Sequence, residues 1–454
     1  LAGATIYTSV APAGPTQGNR TVRLPYFLCL GASQSVCAKI IYMNKGGKFF
    51  KRTVRDVPLE GQTVLLRTDF NVPLNKQGKI SDDLRIKASL PTIEYLLSHK
   101  CRVVIISHLG RPGGKRQEKY SLEPAADRLA KLLKRNIHFV DATIGDRVHQ
   151  AIKRSPKVGV VVLENLRFFA QEEKNDAEFA AKIIKASGAR YFVQDGFGVV
   201  HRAHASTDAI TNCLPGVAGL LLEHEYSTIE RAMNSPKKPF IAIVGGAKVG
   251  DKIEVVEKFV DIADKIVVGG AMANTFLAYK GYDMGKSKYE KDKKEVLDRI
   301  YKLAESKVGK DKVDEFIVLP KDLAVAQSID PRSKRRVVPI DKLAKDDIAL
   351  DMGNESIERA VKIIEKAHTA VWNGTMGYAE LPKFSYGSAR VALTLAAHPK
   401  IESIIGGGDT ADFVIKWSGG NTKLFSHIST GGGASLDLMS GKSLPGVSGL
   451  LDAR

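Results

Sequence analysis

Four glycine-rich loops, each set directly behind a short apolar run, constrain this chain more than any other feature. They are Val244-Gly245-Gly246-Ala247-Lys248, Val268-Gly269-Gly270-Ala271-Met272, Trp372-Asn373-Gly374-Thr375-Met376-Gly377 and Ile405-Gly406-Gly407-Gly408-Asp409-Thr410. An apolar run that ends in glycines reads as a buried strand entering a tight turn, because a backbone without Cβ bends sharply and exposes its N–H groups. In the last loop Asp409 opens a helical stretch, so backbone N–H groups and a positive helix end meet at one point, which suits phosphate oxygens. Any single loop of this kind also serves plain tight packing, and Gly406, Gly408 and Ala411 alone satisfy a dinucleotide-type G-x-G-x-x-A spacing. Recurrence decides between these readings. A doubly wound sheet gathers its ligands at the carboxyl ends of its strands, so four loops of one character describe a shared site better than four unrelated turns.

The rest of the chain supports such a sheet twice over. Val64–Arg67, Val103–Ser107, Val158–Leu163 and Tyr191–Gln194 read as buried strands, with helices expected over Leu84–Leu97, Leu122–Leu133 and Asp176–Lys185. A second strand series follows at Phe240–Val244, Lys265–Val268, Phe316–Leu319, Ala370–Trp372, Ser403–Ile405 and Leu424–Ile428. Between the series, Leu220–Ser235 has a helical pattern closed by Pro236-Lys237-Lys238-Pro239. The expected fold is α/β: two doubly wound parallel-sheet (Rossmann-like) domains joined by a hinge helix. The expected divisions are a first domain over 43–215, the hinge over 216–236 and a second domain over 237–430. Residues 1–42 lack acidic residues and periodicity and are expected to be a disordered extension or a mis-assigned gene start, a transit peptide being the other reading.

A formal charge of +18 raises the question of nucleic acid, but eight Lys/Arg and no Asp/Glu fall in residues 1–55, which leaves +10 for the other 399. That modest excess attracts small anions equally well, and no zinc-finger spacing or RNA-binding aromatic signature accompanies it. Lys334-Arg335-Arg336 reads as a solvated loop. No apolar run has the 18 residues of a membrane span. The four cysteines, Cys29, Cys37, Cys101 and Cys213, are scattered without metal spacing, and Cys101 and Cys213 are expected to be packing residues.

The first strand series carries a different constellation: Arg67-Thr68-Asp69-Phe70-Asn71-Val72-Pro73, His108-Leu109-Gly110-Arg111-Pro112, Glu164-Asn165-Leu166-Arg167-Phe168 and His201-Arg202-Ala203-His204. Guanidinium groups hold phosphate or carboxylate with a rigid fork of donors, so convergent arginines imply a small, multiply anionic substrate. Asp69 and Asn71 are placed to orient its hydroxyls. Arg85 opens a helix, where the plain reading is an i+3 ion pair with Asp82. One half thus suits a nucleotide with a divalent cation at Asp409 and the other a small anion, the problem that kinases solve. No Walker A sequence is present, since Lys280 and Leu436 occupy the first glycine position ahead of Gly285-Lys286-Ser287 and Gly441-Lys442-Ser443.

With these motifs, and with Gly245-Gly246-Ala247-Lys248-Val249-Gly250-Asp251-Lys252-Ile253 and Ser429-Thr430-Gly431-Gly432-Gly433-Ala434-Ser435, the chain closely resembles the phosphoglycerate kinases from about Met43 to its end. The resemblance implies phosphoryl transfer between 1,3-bisphosphoglycerate and ADP, giving 3-phosphoglycerate and ATP, in glycolysis. It implies that Asp69, Phe70, Asn71, Arg85, His108, Leu109, Gly110, Arg111, Arg167 and Arg202 bind the phosphoglycerate. Gly246, Ala247, Lys248, Lys252, Asn373, Glu380, Gly407, Gly408, Asp409 and Thr410 would surround the nucleotide, with Arg85 and Lys252 catalytic and Mg2+ on Asp409. It further implies that residues 431–454 return to the first domain, and that the protein is a cytoplasmic monomer working on small molecules, without nucleic-acid or membrane partners.

Some positions depart from the family pattern. Thr375 replaces a usual Pro, Tyr378-Ala379-Glu380 a commoner Val-Phe-Glu, Asn354-Glu355-Ser356 a Pro-Lys-Thr/Ser, and Val199-Val200 smaller or hydroxyl residues. They bear on the rigidity of the loop near base and ribose rather than on reaction type. Two rival functions remain. A Rossmann dehydrogenase would need an acidic ribose ligand about 20 residues after the glycines, where Ser429-Thr430-Gly431 stands instead. A non-enzymatic anion binder would need the arginines but neither Asp409 nor Lys252.

Overall fold

The computed structural model describes residues 49–248 and 250–453, so the expectation for residues 1–42 lies outside the described residues. Among the described residues the strands form three sheets. The first comprises β1 (Thr63–Arg67), β2 (Arg102–Ile106), β3 (Ile137–Val140), β4 (Gly159–Leu163), β5 (Tyr191–Gln194) and β6 (Gly216–Ala218), all parallel in the order β3-β4-β2-β1-β5-β6. The second comprises β7 (Phe240–Val244), β8 (Lys265–Val268) and β9 (Ile317–Val318), and later β13 (Thr369–Asn373), β14 (Glu402–Gly406) and β15 (His427–Ile428). These are again parallel, in the order β15-β14-β13-β7-β8-β9. Strand order reverses between β7 and β13, and in such sheets that reversal opens a crevice beyond the strand ends.

A third, antiparallel sheet was not foreseen. It is built from β10 (Asp322–Ala326), β11 (Arg336–Pro339) and β12 (Ile348–Met352), in the order β11-β10-β12. The Lys334–Arg336 cluster belongs to it in part. Arg336 starts β11 and pairs with buried Asp347, while Arg335 lies over the Tyr386 ring 4.8 Å from its centroid. The expectation of a wholly solvated loop is therefore corrected: the guanidinium plane of Arg335 finds an aromatic face to cover.

Alternation along the strands explains why both sheets are layered. On β1, Leu65 faces one core while Val64 and Leu66 face another; on β7, Phe240, Ala242 and Val244 point one way and Ile241 and Ile243 the other. The core containing Leu65 is continuous with that containing Phe240 and takes in Leu222 and Ile229 of the Leu220–Asn234 helix. This helix is fastened at its start by Asp195, whose Oδ1 accepts from Leu221 N at 3.0 Å and Leu222 N at 3.3 Å, and by Thr92 Oγ1, which accepts from Leu220 N at 2.9 Å. Farther along, buried Glu225 accepts from Thr430 N at 2.7 Å and lies 2.7 Å from His427 Nε2.

The C-terminal residues rest against the first sheet. Leu451 N donates to Gly216 O at 2.9 Å, Gly446 N to Val200 O at 2.9 Å, and Lys51 Nζ to Leu450 O at 2.9 Å. Cys101 is buried, but Cys213 is exposed rather than packed, because it ends a short 3-10 turn at the surface. Among the described residues no helix is long and apolar enough to cross a membrane.

Candidate active site

At the carboxyl end of the first sheet, the loops after β1, β2, β4 and β5 bring cations together. Arg67, the last residue of β1, is fully buried; its Nε donates to Ser206 Oγ at 2.9 Å and its Nη1 to Thr68 O. Burial lowers its pKa, opposed by the nearby carboxylates of Glu172 and Asp69. Glu172 is buried beneath the site and accepts from Ser206 Oγ at 2.6 Å. Neither Glu172 nor Ser206 could be recognised from sequence, since both serve the site through Arg67.

Asp69 takes the Arg85 guanidinium at 2.6 Å and the Asn71 N–H at 3.1 Å. Burial pushes this carboxyl upward, but the Arg85 and Arg67 guanidinium groups and the Asn71 N–H more than offset that and hold it well below the usual carboxylate range. The i+3 pair of Arg85 with Asp82 is not made, because Asp82 Oδ1 instead accepts from Leu84 N at 2.8 Å. His108 is buried, and burial drives its pKa far below the ordinary imidazole value, the Asp69 charge opposing and Arg167, Arg67 and Arg85 reinforcing the fall. The ring is therefore neutral near pH 7, and its 3.8 Å approach to Asp69 is not an ion pair.

Asn71 Oδ1 accepts from Gly110 N at 2.8 Å, and Arg167 Nη1 donates to Gly110 O at 2.8 Å, so these three predicted residues share one cluster. Arg202 Nε donates to His201 Nε2 at 3.2 Å. Arg111 is exposed on the same loop as His108. Phe70 and Leu109 are buried in the apolar core, so neither side chain can reach a substrate. The Phe70 N–H is also taken, by Ser107 Oγ at 2.8 Å.

Four buried nitrogens at this end of the sheet make no hydrogen bond: Arg167 Nε, Gln194 Nε2, His201 Nδ1 and His204 Nδ1. Arg167 Nε does lie 3.3 Å from Glu173 Oε1, at an angle that makes an ion pair without a hydrogen bond. Because His201 Nε2 accepts from Arg202, its Nδ1 carries the proton and is an orphaned donor. Burial, with Arg167 next, pushes the His204 pKa down to about 4. Burial lowers Arg167 only to about 10, with Arg202 and Arg67 adding to the fall, so it stays cationic. Each unsatisfied buried donor costs about 1–3 kcal/mol. Such a face is arranged to receive acceptor oxygens.

On the second sheet the four glycine loops are tied into one cradle. Gly246 N donates to Thr375 O at 2.8 Å, Gly270 N to Met376 O at 2.8 Å, Met272 N to Gly246 O at 3.0 Å and Gly374 N to Thr410 Oγ1 at 2.7 Å. Lys252 Nζ donates to Gly245 O at 2.8 Å and to Asn373 O at 3.2 Å. Gly374 has φ +95°, and a Cβ on it would run into Gly245 O and Lys252 Nζ, so only glycine closes the loops this tightly. Thr375 sits at the usual proline position, yet its carbonyl holds the first loop; the departure leaves the cradle tied.

Asn373 is buried with Nδ2 unpartnered, and a Cβ at Gly406 or Gly407 would lie 3.2 or 3.3 Å from that nitrogen. The Gly408–Trp417 helix begins there without a side-chain cap, with open space at Gly408 and exposed Asp409 in its first turn. An orphaned donor, uncapped helix N–H groups and one carboxylate fit a phosphate chain with a hard divalent cation, which takes only one or two protein carboxylates. Among the described residues no three His, Cys, Asp or Glu are grouped as a protein-only metal site. Ala247, Lys248 and Glu380 are exposed around the same crevice loops.

Known proteins resemble this chain in sequence and in fold. The family model for phosphoglycerate kinase matches residues 54–442. The chain is 44% identical over 402 residues to a phosphoglycerate kinase of Pelotomaculum thermopropionicum, covering 88% of this chain and 99% of that protein. It is 45% identical over 399 residues to one of Prochlorococcus marinus, covering 87% and 97%. The solved structure of phosphoglycerate kinase from Coxiella burnetii superposes with a TM-score of 0.75 at 34% identity, covering 88% of this chain and 98% of the other. With its two parallel sheets, its opposed arginine face and glycine cradle, and these matches along most of its length, the chain belongs to the phosphoglycerate kinase family.

Proposed function

We propose that the first-sheet face binds 3-phosphoglycerate or 1,3-bisphosphoglycerate, that the glycine cradle binds ADP or ATP, and that a phosphoryl group passes directly between them. The observation that carries this reading is the pair of donor sets left without hydrogen-bond partners, Arg167 Nε and His201 Nδ1 at the end of one sheet and Asn373 with the Gly408 helix end at the other. Two separate sets of unsatisfied donors call for two anionic reactants.

In this reading the arginines and neutral histidines fix the phosphoglycerate, with Asn71 orienting it. Arg85 is held by Asp69 in advance, so its planar fork is ready to meet charge on the migrating group. Lys252, which already spans Gly245 and Asn373, supplies charge from the nucleotide side. Asp409 would hold Mg2+, which supplies positive charge against the nucleotide phosphates when bound. No side-chain nucleophile is needed, since positioning and electrostatics carry such transfers. Because Arg85 stands on the Leu84–Ser98 helix beside the first sheet and Lys252 on the Gly250–Lys252 turn beside the second, the reactants meet only on closure about the Leu220–Asn234 helix, to within about 3–3.5 Å. Action as a monomer in the cytoplasm belongs to the same reading and rests on the family.

The test is substrate dependence of ATP consumption in a coupled assay. Turnover is expected only with 3-phosphoglycerate, ATP and Mg2+ together. ATP consumption indifferent to 3-phosphoglycerate would overturn the reading.

A further inference from the structure

We infer that Glu290 is a positioning residue for the turn that carries Lys252. Gly250–Lys252 is a single 3-10 turn, and the first N–H groups of a helical turn have no partner within it. The Gly250 N–H is satisfied from 40 residues away, by Glu290 Oε2 at 3.1 Å. The fit is close. A Cβ at Gly250 would lie 3.3 Å from Lys293 Cε and 3.4 Å from Glu290 Oε1.

Glu290 is itself anchored. Its N–H donates to Thr275 Oγ1 at 3.2 Å, and Thr275 is buried on the Gly270–Tyr279 helix. The first turn of that helix also holds the other end of the same loop, through Met272 N on Gly246 O at 3.0 Å. One helix therefore grips residues 246–250 at both ends, directly at Gly246 and through Thr275 and Glu290 at Gly250. Lys248 lies between the two grips and Lys252 two residues beyond the second. A slack second grip lets the backbone of Lys252 drift, and small misplacements of a charged group cost rate more than they cost folding. A carboxylate accepting a backbone N–H is among the stronger hydrogen bonds, so its loss is felt locally.

The consequence for rate rests on the phosphoryl-transfer reading; the clamp itself does not. Hydrogen exchange on the full chain should therefore be measured beside steady-state kinetics for wild type, Glu290→Ala, Glu290→Gln and Thr275→Val. In Glu290→Ala, amides of residues 250–256 should exchange about tenfold faster and kcat should fall about tenfold, with KM for 3-phosphoglycerate unchanged. Glu290→Gln keeps an acceptor oxygen and should recover most of both effects. Thr275→Val should shift both in the same direction by less. Unchanged exchange in Glu290→Ala overturns the inference, as does a Gln variant equal to the Ala variant, which would make charge rather than the hydrogen bond responsible. If wild type shows no 3-phosphoglycerate-dependent turnover, the functional reading fails while exchange still decides the clamp.

Discussion

Arg85 is paired with Asp69, 2.6 Å away and 16 residues earlier, rather than with Asp82 beside it. The partner is a buried carboxylate held ionised by three cationic or polar neighbours, so the guanidinium is aimed before any substrate arrives. Replacement by lysine retains charge but not the fork. Arg85→Lys should therefore lose turnover on the order of a hundredfold, with KM for 3-phosphoglycerate changed much less. Steady-state kinetics decide it; near-normal turnover in Arg85→Ala would remove Arg85 from the mechanism.

Asp409 stands exposed in the first turn of the Gly408–Trp417 helix beside the orphaned Asn373 amide. Asp409→Asn keeps the shape and removes the charge. Nucleotide-dependent turnover should drop at least tenfold and need more Mg2+ for half-maximal rate, while 3-phosphoglycerate affinity holds. A Mg2+ titration of the variant that overlays wild type would point to another ligand.

Asp195 gives a pH signature. Burial pushes its carboxyl up to about 7, although Thr92 and the Leu222 and Leu221 N–H groups pull the other way. Since the folded pKa lies above the unfolded value, this group's stabilising contribution is fully present below about pH 4 and is lost as pH rises through about 7. Asn at this position can still accept from Leu221 and Leu222 but does not titrate. The melting temperature of Asp195→Asn should thus gain on wild type between pH 5 and pH 8. A difference constant across that range would mean that Asp195 ionises normally.

Much of this was legible in the chain, for physical reasons that also mark its limits. Tyr191–Gln194, Phe240–Val244 and Lys265–Val268 were read with correct bounds, because strands buried on both faces are short apolar runs with sharp ends. The strands Ile137–Val140 and Gly216–Ala218 were missed, the first an edge strand polar and exposed at His138, the second only three residues long and opening on glycine. The antiparallel sheet escaped because Asp322–Ala326 opens on a charged residue and Arg336–Pro339 is largely exposed, so neither reads as an apolar run with sharp ends. The glycine loops are joined by hydrogen bonds, as their recurrence after strands suggested, and Asp69, Asn71, Arg85, Gly110 and Arg167 are linked in one cluster. What could not be read were the partners: Asp69 for Arg85, Glu172 and Ser206 around Arg67, Glu290 for Gly250. These contacts join residues far apart in sequence and carry no local pattern. Phe70 and Leu109 were carried along by their motifs, although their side chains belong to the core.

Closure is the fourth expectation. The Leu220–Asn234 helix is clamped to the first half by Asp195, just after Tyr191–Gln194, and by Thr92 of the Leu84–Ser98 helix, and to the loop after the last strand of the second series by Glu225 at Thr430. Small-angle scattering should show a smaller radius of gyration only when 3-phosphoglycerate and a nucleotide are both present, since neither alone spans the two faces. An unchanged radius in the ternary complex would rule out hinge closure.

The central claim is that each sheet holds one reactant, and calorimetric titration of two variants tests it most directly. Arg167→Ala removes a cation from the first face, where its Nη1 holds Gly110 O. Asn373→Ala removes the orphaned amide at the glycine cradle. The account predicts that Arg167→Ala binds 3-phosphoglycerate at least tenfold more weakly and ADP as wild type does, and that Asn373→Ala does the reverse. If either variant weakens both ligands equally, or if Arg167→Ala spares 3-phosphoglycerate, the division of the site between the sheets is contradicted.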